Sequence, residues 1–180
     1  MNKKTLNNDL NRLDVDAFKS AKKNPIYLIL EDVRSAQNVG AMFRTMDAFR
    51  GAGILLCGIT ATPPHREINK TALGATETVN WEYFEKTEAA IGQMRARNIP
   101  VFAVEQAESA IMLPALEVKS EVGIALILGN EVDGVSQKAI DLAIGVVEIP
   151  QFGTKHSLNV SVCAGIVLWH CMNHLNMQDL

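Results

Sequence analysis

Short runs of β-branched and aliphatic residues recur along the chain, each followed by a polar exit and then by a helix-like segment, and this alternation leaves few folds open. The runs are residues 26–30, 53–58, 78–84, 101–104, 122–128 and 146–149. Between them, apolar spacing and capping residues predict helices from Asn38 to Gly51, from Thr87 to Arg97, from Ser136 to Ala143, and from Ser157 onward. The predicted fold class is α/β, with a mostly parallel sheet whose strands are apolar throughout because helices cover both faces. Leu6, Leu10, Leu13 and Phe18 fall near helical spacing, so the first ~22 residues predict one broken or two short helices. Residues 59–70, with Pro63 and Pro64, predict a rigid loop that runs into a turn at residues 72–75. The chain thus divides into a short N-terminal helical extension, residues 1–24, and one larger domain, residues 25–180.

With 180 residues and 48% hydrophobic content the chain can bury a sizeable core, which excludes a disordered, fibrous or disulfide-stapled class. The longest apolar runs, residues 124–128 and 163–168, fall far short of the ~20 residues of a membrane span. The first residues hold no apolar signal core, so a cytoplasmic protein without a membrane partner is expected. Cys57, Cys163 and Cys171 lie in apolar stretches without CxxC spacing, which predicts reduced, buried thiols. The net charge of −3 is unevenly spread: residues 1–70 hold 11 Lys/Arg against 7 Asp/Glu, the remainder 6 against 13. The basic half reads as a solvated helical surface or as phosphate contacts through Lys22, Lys23, Arg34, Arg50 and Arg66.

In parallel sheets, ligands bind beyond the carboxyl ends of the strands. The polar exits here are Glu31/Asp32, Glu105/Gln106, Gly129 to Glu131, and Gln151 to Ser157, and they are expected to converge on one rim. The last is the most informative. A strand stopped by Pro150 gives way to Gln151, Gly153, Thr154, Lys155 and His156, then to Ser157 as the expected cap of a long apolar helix. Backbone donors of that loop and the dipole of the helix would face a ligand. No GxGxxG follows a strand and no GxxxxGK[ST] occurs, so NAD and ATP lose most of their support. His170 and His174 stand at i, i+4, but the Glu of HExxH and a third ligand are missing, so no metal is expected. Taken singly, Gly129 to Gly134 also reads as a tight turn, Asn38 and Arg44 as a cap and an exposed arginine, and Ser157 and Asn159 as a cap and its neighbour.

Three segments, in order, carry more than any one of them. NVGAMFRT (38–45), LGNEVDGVS (128–136) and IPQFGTKHSLNVSVCAG (149–165) resemble the N-x-G-x-x-x-R-T, G-x-E-x-x-G and I-P-x-x-G…S-L-N-V-S motifs of the SpoU/TrmH group in the SPOUT superfamily, RNA ribose 2′-O-methyltransferases. The resemblance covers nearly the whole chain. It implies an α/β domain with a deep C-terminal trefoil knot formed by the segment from about Gly129 onward, an exception to the rule that chains avoid knots. It implies a homodimer packed partly through the C-terminal helix, giving Val162, Ile166 and Trp169 a partner. S-adenosylmethionine is the implied cofactor, held around Gly129, Asn130, Ile149, Gln151, Leu158 and Glu105. Arg44, Asn38, Glu131, Ser157 and Asn159 are the implied catalytic set. Gln151 stands where many bacterial members have methionine, a variant similar to the branch of eukaryotic tRNA guanosine enzymes, so tRNA is expected ahead of rRNA. A non-catalytic RNA-binding assembly factor with the same fold is the alternative from another class, and the intact set of polar motif residues speaks against it.

Overall fold

A computed structural model describes residues 2–6, 9–10, 12–119 and 121–175. Its centre is a seven-stranded sheet in which every pairing is parallel. The strands are β1 (Asn24–Glu31), β2 (Gly51–Cys57), β3 (Trp81–Phe84), β4 (Val101–Val104), β5 (Ile111–Met112), β6 (Ile124–Leu128) and β7 (Gly145–Glu148), in the spatial order β3-β2-β1-β6-β4-β7-β5. The helices are α1 (Val15–Ser20), α2 (Ala36–Ala48), α3 (Arg66–Ala72), α4 (Thr87–Ala96), α5 (Gln137–Leu142) and α6 (Val160–His174).

Alternation along each strand sorts the core into two layers. Leu28, Leu30, Ile54, Leu56, Leu126 and Leu128 point to the side covered by α2, α3 and α6. Their neighbours Ile29, Leu55, Cys57, Ala125 and Ile127 point to the side covered by α4 and α5. Both faces are dry, which is why β6 is buried at every residue and its sequence is an unbroken apolar run.

The chain runs outward from β1 through β2 to β3, while β6 sits between β1 and β4. The carboxyl ends of β6, β4 and β7 therefore open beside a reversal of strand order, the usual place for a crevice.

Several boundaries differ from the sequence reading. Among the described residues of the N-terminal segment the α-helix is α1, capped by Asp14, and Leu6, Leu10 and Leu13 are exposed. Of that apolar spacing only Phe18 is buried, and it is the one member that lies within α1, whose six residues are too few to form without such packing. The part of the predicted helix over Asn7, Asn8 and Asn11 lies outside the described residues. The expected rigid loop of residues 59–70 holds the start of α3. Its prolines come before the helix, and His65 caps it by accepting from the Glu67 N–H at 3.2 Å, so they break nothing. The two-residue β5 and the 3₁₀ turn Leu113–Ala115 carried no sequence signal of their own.

Candidate functional site

Two cap assignments change the site. Helix α2 begins earlier than expected: Ser35, not Asn38, is the cap, its Oγ accepting from the Asn38 N–H at 3.3 Å. Helix α6 begins later: Asn159, not Ser157, is the cap, its Oδ1 accepting from the N–H groups of Ser161 (2.9 Å) and Val162 (3.4 Å). In each case either polar residue satisfies the local pattern, and tertiary packing chooses. The choice leaves Asn38 inside the first turn with its carboxamide unspent, and Ser157 exposed in the loop ahead of α6.

Asn38 uses that carboxamide as a bridge. Its Nδ2 donates to Glu131 Oε1 at 2.9 Å, and its Oδ1 accepts from Asn159 Nδ2 at 3.2 Å. Three segments far apart in sequence are thereby joined: the start of α2, the turn after β6, and the cap of α6. Glu131 completes the junction by accepting the backbone N–H groups of Arg34 (3.0 Å, Oε2) and Ser35 (3.2 Å, Oε1). Partial burial pushes the Glu131 carboxyl up, but the donors from Asn38, Arg34, its own backbone and Ser35 outweigh it and hold it below the ordinary carboxylate range.

The turn that carries Glu131 is built by its neighbours. Asn130 Oδ1 accepts from Val132 N–H and Asp133 N–H, both at 2.9 Å, and Gly134 N–H donates to the Asn130 carbonyl at 3.1 Å. The turn folds back so closely on β6 that a Cβ on Gly129 would lie 2.0 Å from the Gly134 carbonyl and 2.2 Å from Val135 N. Gly134 takes φ +69°, and a Cβ there would meet Glu105 Oε2 at 2.1 Å. Glu105, at the end of β4, accepts from Val135 N–H at 3.0 Å and from Gln106 N–H at 2.8 Å. Glu31, buried at the end of β1, accepts both from Ser136 N–H and from Ser136 Oγ, each at 2.8 Å, and so fixes the cap of α5.

Beside this junction lies a cleft of about 480 Å³, within the range of small-molecule and cofactor sites. Glu105, Gly129, Asn130, Ile149, Gln151 and Leu158 all line it. Glu131, Ser157 and Asn159 line it as well, whereas Asn38 stands behind them and reaches it only through Glu131 and Asn159. Arg44 is separate. It is exposed on α2, lies outside the lining, and its side chain makes no hydrogen bond or ion pair among the described residues. Six residues beyond Asn38, it stands about 9 Å further along the helix and about 120° around it.

Sequence reasoning left five polar or sulfur-bearing lining residues out of the candidate site: Gln106, Asp133, Glu148, His156 and Cys163. Gln106 and His156 lay in named exits, and Gln106 Nε2 donates to the His156 carbonyl at 2.9 Å, tying one exit to another. Cys163 follows from the corrected cap, being one helical turn beyond Asn159. Burial raises its thiol pKa, and burial pushes Cys57 and Cys171 up to about 12. Carboxylates of Glu105, Glu131, Asp133 and Glu148 line the cleft and no Lys or Arg does, so its field favours a cationic ligand. His170 and His174 are stacked, with ring centroids 4.4 Å apart. His170 Nε2 meets the Leu116 carbonyl at 2.8 Å and His174 Nδ1 the His170 carbonyl at 3.0 Å, and among the described residues no His/Cys/Asp/Glu cluster suits a metal. No helix among them is long and apolar enough to cross a membrane.

The model of the SpoU rRNA Methylase family matches residues 25–169. The chain belongs to this family. Curated SpoU-family relatives include the 23S rRNA (guanosine-2′-O-)-methyltransferase of Vibrio vulnificus, 29% identical over 163 residues, 91% of this chain and 65% of that protein. The tRNA (guanosine(18)-2′-O)-methyltransferase of Thermus thermophilus is 32% identical over 143 residues, 79% of this chain and 71% of that protein. Among solved structures, an AdoMet-bound rRNA methyltransferase from Sinorhizobium meliloti superposes with a TM-score of 0.79 at 30% identity, covering 86% of this chain and 58% of that one. The chain thus spans a little under two thirds of the Vibrio relative.

Proposed function

We propose that the chain is an S-adenosylmethionine-dependent RNA methyltransferase that transfers a methyl group to a ribose 2′-hydroxyl. The observation that carries this reading is the Glu131–Asn38–Asn159 bridge, which joins all three family motifs at the mouth of one cleft. The acidic lining suits the cofactor, whose sulfonium and ammonium charges exceed its single carboxylate. Residues Gly129, Asn130, Ile149, Gln151, Leu158 and Glu105 would hold it. When bound, S-adenosylmethionine supplies an electrophilic methyl group, so the protein's task is alignment and charge placement.

Glu131 keeps the turn beside the cleft in place, Asn38 couples that turn to α6, and Ser157 and Asn159 orient the target nucleotide. Arg44 clamps the phosphate next to the reacting ribose and stabilises the alkoxide as it forms, while the hydroxyl proton leaves to phosphate or water. A guanidinium stays protonated in proteins, so Arg44 is not the base. Because Arg44 is remote from the lining of its own cleft, the homodimer reading gains weight. The exposed Val162, Ile166 and Trp169 on α6 offer an apolar face for a second copy. The trefoil knot belongs to the same reading, as do residues 1–24 as an extension to the methyltransferase domain.

The substrate we favour is a tRNA guanosine, supported by the 32% identity to the Thermus tRNA enzyme. The longer alignments to 23S rRNA enzymes support rRNA as a second reading. Nucleoside mass spectrometry of unmodified tRNA and rRNA, each incubated with purified protein and S-adenosylmethionine, tests both. A new 2′-O-methylguanosine in the tRNA pool, absent with Arg44→Ala, is the expected result. Methylation of rRNA alone would shift the substrate, and none in either pool would remove the reaction.

A further inference from the structure

Phe152 is 98% exposed, the most exposed large apolar side chain among the described residues. It makes no ring contact there. Its neighbour Gln151 lines the cleft, and so do His156 and Ser157 at the far end of the same loop, which sets the ring at the lip. Between Phe152 and Leu158 the loop has no second apolar side chain, only Gly153, Thr154, Lys155, His156 and Ser157, all exposed. No backbone N–H from Phe152 to Leu158 is hydrogen-bonded among the described residues, and Gln106 to the His156 carbonyl is the loop's cross-link to another exit.

We infer that Phe152 is a stacking platform for an unpaired base of the RNA, an inference that rests on the function proposed above. A protein-binding hot spot is ringed by further apolar contacts that exclude water, and this loop has none. Base stacking needs only one open π-face and a cation on the same surface for the phosphate, and this exposed loop carries Phe152 and, three residues on, Lys155. The consequence is a substrate class. A base held against Phe152 must have left any duplex stack, so the enzyme takes its nucleotide from a loop, bulge or single strand.

The test compares Phe152→Ala, Phe152→Leu and Phe152→Tyr. Fluorescence anisotropy measures binding to a labelled single-stranded oligoadenylate 12-mer and to an RNA duplex of equal length; steady-state kinetics use whichever RNA pool is methylated. Ala and Leu are expected to weaken single-strand binding and raise KM about 5- to 150-fold, with Tyr close to wild type and S-adenosylmethionine affinity by calorimetry unchanged. Leu behaving like Phe would mean apolar packing and overturn the proposal, as would equal binding by all variants or a changed sedimentation coefficient in Phe152→Ala. A wild-type protein that methylates RNA while Phe152→Ala is unaffected sinks the stacking role alone. A wild type that neither binds the single strand nor methylates RNA sinks the proposed function and this inference with it.

Discussion

Replacing Glu131 with glutamine tests the junction at its centre. The carboxylate accepts three N–H groups, from Arg34, Ser35 and Asn38, at 3.0, 3.2 and 2.9 Å. Glutamine is nearly isosteric but has one acceptor oxygen, and its amide nitrogen must face either Arg34 N–H or the Ser35 and Asn38 donors. One or two charge-assisted bonds are lost, each of about 1.5–3 kcal/mol when shielded. Glu131 is largely exposed, so solvent screening reduces the total to about 1–2 kcal/mol. The carboxyl's folded pKa lies below its unfolded value. Its contribution is therefore complete above the ordinary carboxylate range and is lost as the pH falls through the lowered folded value. Urea denaturation of wild type and Glu131→Gln from pH 7 down to pH 3 should show a stability gap of about 1–2 kcal/mol at neutral pH that narrows in acid. A gap that stays constant to pH 3 would refute the idea that an ionised carboxylate holds these loops together.

Gly129→Ala places a Cβ against backbone atoms that have no side-chain freedom, at 2.0 and 2.2 Å, so the turn must move; a destabilisation of about 1–3 kcal/mol is expected, with calorimetry showing lost S-adenosylmethionine binding. Asn38→Ala leaves the Ser35 cap intact but removes the bonds to Glu131 and Asn159, so it should abolish turnover and lower stability by about 1 kcal/mol, and Ser35→Ala should cost about 1 kcal/mol through the lost cap. Arg44→Ala and Ser157→Ala, each inactive alone, are expected to regain activity when mixed if one copy's Arg44 serves the other's cleft; no recovery after subunit exchange would confine Arg44 to its own chain. Cys57 and Cys171, with thiol pKa values of about 12, should resist iodoacetamide in the native protein at pH 8, and mass mapping of the alkylated peptides reads this out.

The layers of the fold were legible because both faces of the sheet are buried. Apolar runs such as residues 124–128 allow no other partner than helices on each side. The convergence of strand exits came from the parallel topology: the exits of β6, β4 and β7 line one cleft, whereas Glu31 and Asp32 at the end of β1 stay outside its lining, Glu31 being spent on Ser136. The features that escaped were decided by contacts distant in sequence. Nothing local separates Ser35 from Asn38 as a cap, since both are good cap residues one turn apart. The difference comes from Glu131, 93 residues beyond Asn38, which draws in both the Ser35 N–H and the Asn38 amide. The helix α3 escaped because a double proline reads as a loop, although a proline restricts the residue before it more than the residues after it.

The corrected caps also alter the chemical role that can be argued for each asparagine. A cap spends its side-chain oxygen on its own helix, as Asn159 does with Ser161 and Val162, leaving only its Nδ2 for outside partners. Asn38, freed by Ser35, has both ends available, and it spends them on Glu131 and Asn159 instead of on a ligand. With both ends so engaged, Asn38 is a positioning residue, one that sets the distance between the turn after β6 and the start of α6 across which a nucleotide and the cofactor would meet. Asn38→Asp separates this role from direct contact: aspartate still accepts from Asn159 but sets a second negative charge against Glu131, so the bridge opens while the volume is unchanged. Loss of turnover in Asn38→Asp, rescued in the double variant Asn38→Asp/Glu131→Gln where the glutamine amide can donate back, is the outcome a positioning role requires; a double variant no better than the single one would mean that Asn38 touches the substrate itself.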